Sequence, residues 1–268
     1  MSSFIPTLTS PMPIILTGFL ASLIAGLATA IGALPILFIP TLTKRAEGIL
    51  LGFGGGVMLA ATAFSLILPG TEAAMSQGFP KAIAALIMVC GILLGGWCLN
   101  FAHAHFPHEH FFKEESAANR TNLTRLWLFI AAITLHNFPE GLAVGVSFGS
   151  GDIHEGLPVA LGIGLQNMPE GLVVAVALLA QNYSVGHALR VSLLTGLVEP
   201  IGGLVGVSVV HLGNFILPWG MAFAAGAMLF VISDEIIPES HRKGLEKEGT
   251  IGIMIGFVTM MFLDIALG

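Results

Sequence analysis

Charge is what this sequence has least of. Lys, Arg, Asp and Glu make up 10% of 268 residues against 55% hydrophobic ones, far more apolar surface than one soluble core of that length buries. A soluble globular protein is excluded, and a bilayer is implied. Cysteine is nearly absent as well: Cys90 and Cys98 share one apolar run, form no C-x-x-C pair and read as small core fillers. Basic residues are missing ahead of "ATA" at 28–30, which otherwise resembles a signal-cleavage site. Because the apolar run continues past it, we read a retained first helix.

Apolar runs of membrane-spanning length occur eight times, at roughly 12–40, 47–70, 80–101, 123–149, 156–180, 186–210, 214–238 and 250–267. Almost nothing lies outside them, so the expectation is one all-α transmembrane domain over 1–268, with residues 102–122 as the only sizeable connection. If the spans alternate, Lys44, Arg45, Lys113, Arg120, Arg125, Arg190, Arg242, Lys243 and Lys247 share one side and Lys81 stands alone on the other. The positive-inside rule makes the first side cytoplasmic. Both termini then face away from the cytoplasm, in a multi-pass protein of the cell (inner) membrane.

Against this apolar background one short run is written twice. "HNFPEGLAVGV" at 136–146 and "QNMPEGLVVAV" at 166–176 are identical at seven of eleven positions, and they fall in the fourth and fifth spans, which cross the bilayer in opposite directions. Such a pair is related by a pseudo-two-fold axis in the membrane plane, the local sign of an inverted repeat with a site near the midplane. His136, Asn137 and Glu140 share one helix face, as do Gln166, Asn167 and Glu170, because residues three and four apart are neighbours on a helix. Pro139 and Pro169 lack an N–H, so kinks are expected there, with the carbonyls of Leu135 and Leu165 freed as further ligands. The sixth span adds Glu199, directly before Pro200.

Three carboxylates at membrane depth thus have no Lys or Arg nearby in sequence. Unpaired, they would together cost on the order of 8–10 kcal/mol on insertion scales. Protons or a metal cation must neutralise them. A proton relay needs no imidazole, paired asparagines and glutamine at fixed helical spacing, whereas six or more convergent N and O ligands suit a divalent metal. One imidazole with oxygens and no thiolate suits Zn²⁺, Fe²⁺, Mn²⁺, Co²⁺ or Cd²⁺ and disfavours copper(I).

"HNFPEG", "QNMPEG", "EP" in the sixth span, "GFGGGVMLAATAFSLILP" in the second and "VISDEIIPESH" in the seventh together resemble the ZIP family of divalent-metal transporters, especially its bacterial members. The likeness covers essentially the whole chain. It implies an eight-helix homodimer carrying Zn²⁺ and related cations into the cytoplasm, with the metal centre between helices four and five. The implied ligands are His136, Asn137, Glu140, Gln166, Asn167, Glu170 and Glu199, with Glu140 and Glu170 bridging two metals when both are bound. It also implies that helices one, four, five and six move as a block against two, three, seven and eight. Many relatives have His where Gln166 stands and some have Asp where Asn167 stands, which leaves the number of metals open. The expected partners are divalent cations, the lipid bilayer and a second copy of the chain, with no nucleic acid and no resident cofactor.

Asp234, Glu235, Glu239 and His241 end the seventh span at the presumed inner exit, and Asp264 lies late in the eighth, near the outer face. Solvated, capped helix ends would look the same; the resemblance favours Glu235 and Asp264 as pathway residues. His103, His105, His108 and His110 in the connection form a short His-rich tract, a candidate loop metal site. Small-residue runs such as "GFGGGVMLAA" at 52–61 allow close helix contact. Two other functions fit parts of the pattern. An intramembrane metal-dependent hydrolase would use the spacing of His136 and Glu140, but Asn137 stands where H-E-x-x-H needs its general base, and no G-x-S-x-G occurs. A metal-selective channel would use the same ligands and differ only in kinetics.

Overall fold

The computed structural model describes residues 13–105, 122–241 and 244–267, and among them the regular structure is entirely helical. Eight rods cross the molecule: α1 (Ile14–Leu37), α2 (Lys44–Ser76), α3 (Lys81–His105), α4 (Asn122–Gly149), α5 (Ile153–Ala180), α6 (Val185–His211), α7 (Leu217–Ser240) and α8 (Glu246–Leu267). Seven are long and apolar enough to span a bilayer. The remaining rod, α4, has 28 residues, about 42 Å of helix.

Three departures from the expected spans bear on the site. Helix α2 begins earlier and ends later, because Thr43 caps it, accepting from the Ala46 amide at 3.2 Å, and so draws Lys44 and Arg45 into the first turn. Helix α3 continues to His105, which shortens the expected 102–122 connection to 106–121; His108 and His110 lie outside the described residues. The third concerns the prolines. Helices α4 and α5 run unbroken through Pro139, Pro158 and Pro169. The interruption comes instead in α6, which turns at 197–198 and restarts at Glu199, with Pro200 in the new first turn, where its missing N–H costs nothing.

Two further prolines act at a distance. Pro69 in α2 and Pro238 in α7 each follow, by two residues, a π-helical turn, Ala61–Ile67 and Ile232–Ile236. A proline clashes with the carbonyl four residues back, and a wider turn absorbs that clash by adding one residue to the winding.

The helices pair most intimately as α2 with α8, α4 with α6, α1 with α5 and α3 with α7. Exchanging α1 with α6, α2 with α7, α3 with α8 and α4 with α5 maps this set onto itself. The register agrees residue by residue. A Cβ on Gly32 would collide with the Met168 carbonyl, and one on Gly202 with that of Phe138; Gly171 abuts the Thr29 carbonyl as Gly141 abuts that of Glu199; Gly256 abuts Phe53 as Gly95 abuts Phe223. The inverted repeat seen in two helices therefore runs through the whole bundle. Helices α1, α4, α5 and α6 form one densely packed group, and α2, α3, α7 and α8 another.

Candidate metal centre

Where the two groups meet, α4 presents His136, Asn137 and Glu140, and α5 presents Gln166, Asn167 and Glu170. All six are buried, as is Glu199 at the restart of α6. Placing a carboxylate at that restart sets it on the positive end of the new helix.

Amide groups knit the carboxylates together. Gln166 Nε2 donates to Glu140 Oε1 at 2.5 Å and to Asn167 Oδ1 at 3.2 Å. Asn167 Nδ2 donates to Glu199 Oε1 at 2.6 Å and to the Ala25 carbonyl at 2.9 Å. On the symmetry-related side Asn137 Nδ2 donates to the Thr195 carbonyl at 2.8 Å. His136 Nε2 lies 2.8 Å from Glu235 Oε2. Glu170 lies close enough to His136 to be attracted by it when protonated, and close enough to Glu140, Glu199 and Glu235 to repel them when ionised.

Much of the oxygen in this cluster is left over. Thr29 Oγ1, Asn137 Oδ1, Glu140 Oε2, Gln166 Oε1, Glu170 Oε2 and Glu199 Oε2 are buried without a hydrogen-bond partner. An unsatisfied buried polar group costs about 1–3 kcal/mol, more when charged. Among the described residues none of the three glutamates pairs with Lys or Arg. Six orphaned acceptors around one imidazole are the donor set that a borderline divalent cation uses. As the side chains stand, no three His, Cys, Asp or Glu groups among the described residues converge on one point.

Access differs on the two sides. Toward the end of the bundle that carries Lys44, a small cleft bounded by Leu50, Leu51, Gly54 and Met58 of α2, Gln166, Pro169 and Glu170 of α5 and Ile236 of α7 reaches the cluster. Toward the Gly149 end the helices close on a buried apolar cluster that includes Leu142, Phe148, Val159, Ile163, Met228 and Met260.

The other sequence-predicted residues scatter. Glu235 stands beside His136, within the π turn at Ile232–Ile236, whose wider winding departs from an α-helical count. Proline three residues downstream was the available signal. Asp234 and Glu239 are partly buried on the same helix. His241 bonds to the Ile237 carbonyl, Ser240 Oγ and Thr250 Oγ1 at 2.9–3.1 Å, tying the end of α7 to α8. Asp264 accepts from Ser65 Oγ at 2.5 Å near the opposite end. The carbonyls brought to the cluster are those of Ala25 and Thr195, four residues ahead of Thr29 and Glu199, which sequence reasoning did not single out.

Comparison with known proteins gives a family. The ZIP Zinc transporter family model matches residues 102–264. Zinc transporter GufA of Myxococcus xanthus is 51% identical over 251 residues, covering 94% of this chain and 99% of that one. Zinc transporter ZIPB of Bordetella bronchiseptica is 46% identical over 241 residues, covering 90% and 78%. The human zinc transporter ZIP11 is 32% identical, covering 90% and 94%. These relatives are transporters rather than enzymes, so the hydrolase reading falls. With eight helices in an inverted repeat and two P-E-G segments facing one another, the chain belongs to the ZIP family of zinc transporters.

Proposed function

We propose that the protein carries Zn²⁺ into the cytoplasm through the centre formed by His136, Asn137, Glu140, Gln166, Asn167, Glu170 and Glu199. The observation that carries this reading is the set of orphaned buried oxygens around His136, with three carboxylates that no described basic residue neutralises. A divalent cation satisfies the oxygens and the charge together. Glu235, at 2.8 Å from His136 Nε2, fixes the imidazole as a carboxylate commonly does beside a metal-binding histidine. Cd²⁺, Fe²⁺, Mn²⁺ and Co²⁺ suit the same donors.

The packing supports a carrier in which α1, α4, α5 and α6 slide as a block against α2, α3, α7 and α8. The closest glycine contacts, α1 with α5, α4 with α6, α2 with α8 and α3 with α7, lie inside the blocks and let each hold together as a unit. By the positive-inside rule the Lys44 end is cytoplasmic, so the cleft at Glu170 leads inward, Ser65 and Asp264 mark the outer approach, and Asp234, Glu239 and His241 line the way out. The His103, His105, His108 and His110 tract on that side receives the released ion. The working unit is a homodimer in the inner membrane.

Uptake of Zn²⁺ by liposomes containing the purified protein tests this. Saturation with concentration is expected; a linear dependence would make the protein a channel, and no uptake would remove the function.

A further inference from the structure

The pseudo-two-fold axis gives the cluster two equivalent halves. One is Asn167 with Glu199; its symmetry mate is Asn137 with Thr29. A cage built this way offers a place for an ion in each half. We propose that Asn167 is a latch rather than a ligand, and that the centre therefore holds one divalent cation per protomer. The inference rests on the reading of this centre as the metal site.

The orientation of the Asn167 amide is fixed by its partners. A carbonyl oxygen only accepts, so the Asn167 atom 2.9 Å from the Ala25 carbonyl is the nitrogen, and its oxygen cannot be exchanged into that place. That same nitrogen lies 2.6 Å from Glu199 Oε1. Both of its N–H bonds are thus spent, one on α1 and one on α6. The Asn167 oxygen accepts from Gln166 at 3.2 Å. Asn167 Oδ1 is thus already engaged by one donor, and the N–H that the residue directs at Glu199 repels a cation.

Asn137 shows what the alternative looks like. Its nitrogen is fixed in the same manner by the Thr195 carbonyl at 2.8 Å, but the residue at the position equivalent to Glu199 is Thr29, which makes no bond to it. Asn137 Oδ1 and Thr29 Oγ1 are both left buried and unpartnered. The other described buried Ser and Thr hydroxyls donate to a carbonyl of their own or a neighbouring helix, or to Asp264. At Thr29 the carbonyl four residues back is that of Ala25, and Asn167 already holds it. The ion accordingly belongs on the side of Asn137 Oδ1, Glu140 Oε2, Gln166 Oε1, Glu170 Oε2 and His136, with Glu199 offering only Oε2.

Replacing Asn167 by Asp removes both donated bonds and leaves two carboxylates and a carbonyl oxygen facing one another, a set of acceptors that a cation completes. The test is equilibrium dialysis of the full chain in detergent against Zn²⁺ alone, with bound metal quantified by mass spectrometry. His103, His105, His108 and His110 are replaced by Ala throughout, and folding is checked by size exclusion and circular dichroism. Expected are one Zn²⁺ per protomer in this background, two with Asn167→Asp, and one with Asn167→Ala. Two ions without any change at Asn167, one ion in folded Asn167→Asp, or none in folded Asn167→Ala would each overturn the latch. If Asn167→Asp does not fold, the other two counts decide. Glu140→Ala should bind none; an unchanged count there would instead remove the centre itself and with it the proposed function.

Discussion

Glu140 bridges the roles of anchor and acceptor: Oε1 takes the Gln166 amide at 2.5 Å while Oε2 is unpartnered. Glu140→Ala and Glu170→Ala each delete an anionic acceptor, and Glu140→Ala also strands the Gln166 amide, at about 1–3 kcal/mol for an unsatisfied buried group. Each variant should insert and remain folded yet show no Zn²⁺ uptake in liposomes; wild-type rates in either would remove it from the site. Gln166 Oε1 is one of the neutral members of the acceptor set. Imidazole binds zinc more strongly than an amide oxygen, so Gln166→His should lower the apparent KM for Zn²⁺ with an equal or lower maximal rate, and favour Zn²⁺ over Mn²⁺. Competitive uptake of the two metals by both proteins in matched vesicles checks this, and an unchanged KM and ratio would mean that Gln166 never touches the ion.

Among the helices, the pairing of α4 with α5 was legible because Asn, Pro and Glu stand out in apolar runs and recur at one spacing. The pairing of α1 with α6 was not. Gly26 and Thr29 answer to Gly196 and Glu199 in the fold, but side chains so different leave no repeated text; the equivalence lives in backbone contacts. The contact of Glu235 with His136 was out of reach for a different reason, since periodicity assumes 3.6 residues per turn and the π turn at Ile232–Ile236 breaks that count. Pro238→Ala removes the cause of the wide turn. If the helix rewinds, Glu235 leaves His136 by about 100°, and uptake should fall severalfold in a folded protein; unchanged transport would show that the contact is dispensable. Gly171→Val drives a side chain into the Thr29 carbonyl, and overpacking of that kind costs about 1–3 kcal/mol, which a lowered Tm in detergent would register.

At the level of the molecule, the sliding-block reading makes the contact between α5 and α8 informative, because it joins one group to the other. Gly162 faces the Met260 sulfur there. In a background with Cys90 and Cys98 replaced by Ser, cysteines at 162 and 260 joined by a short thiol crosslinker should stop uptake, and a reducible linker should restore it on cleavage. Transport that survives crosslinking would exclude movement at this seam. Proton competition acts on the same scale. Ligands must be deprotonated to hold a metal, so uptake should slow as external pH falls from neutral to mildly acidic, and a flat profile would count against carboxylate and imidazole coordination.

The whole-bundle inverted repeat has a bearing on direction. Turned over in the bilayer, the backbone presents nearly the same frame to either side, so the scaffold itself carries no arrow. At the centre the two halves differ in their mismatched partners, His136 against Gln166 and Glu199 against Thr29. Those mismatches can tilt how long the carrier waits on each side, but detailed balance forbids them from choosing the sense of net flow. If the proposed carrier moves Zn²⁺ alone, the arrow is supplied from outside the protein, by the electrochemical gradient of the ion.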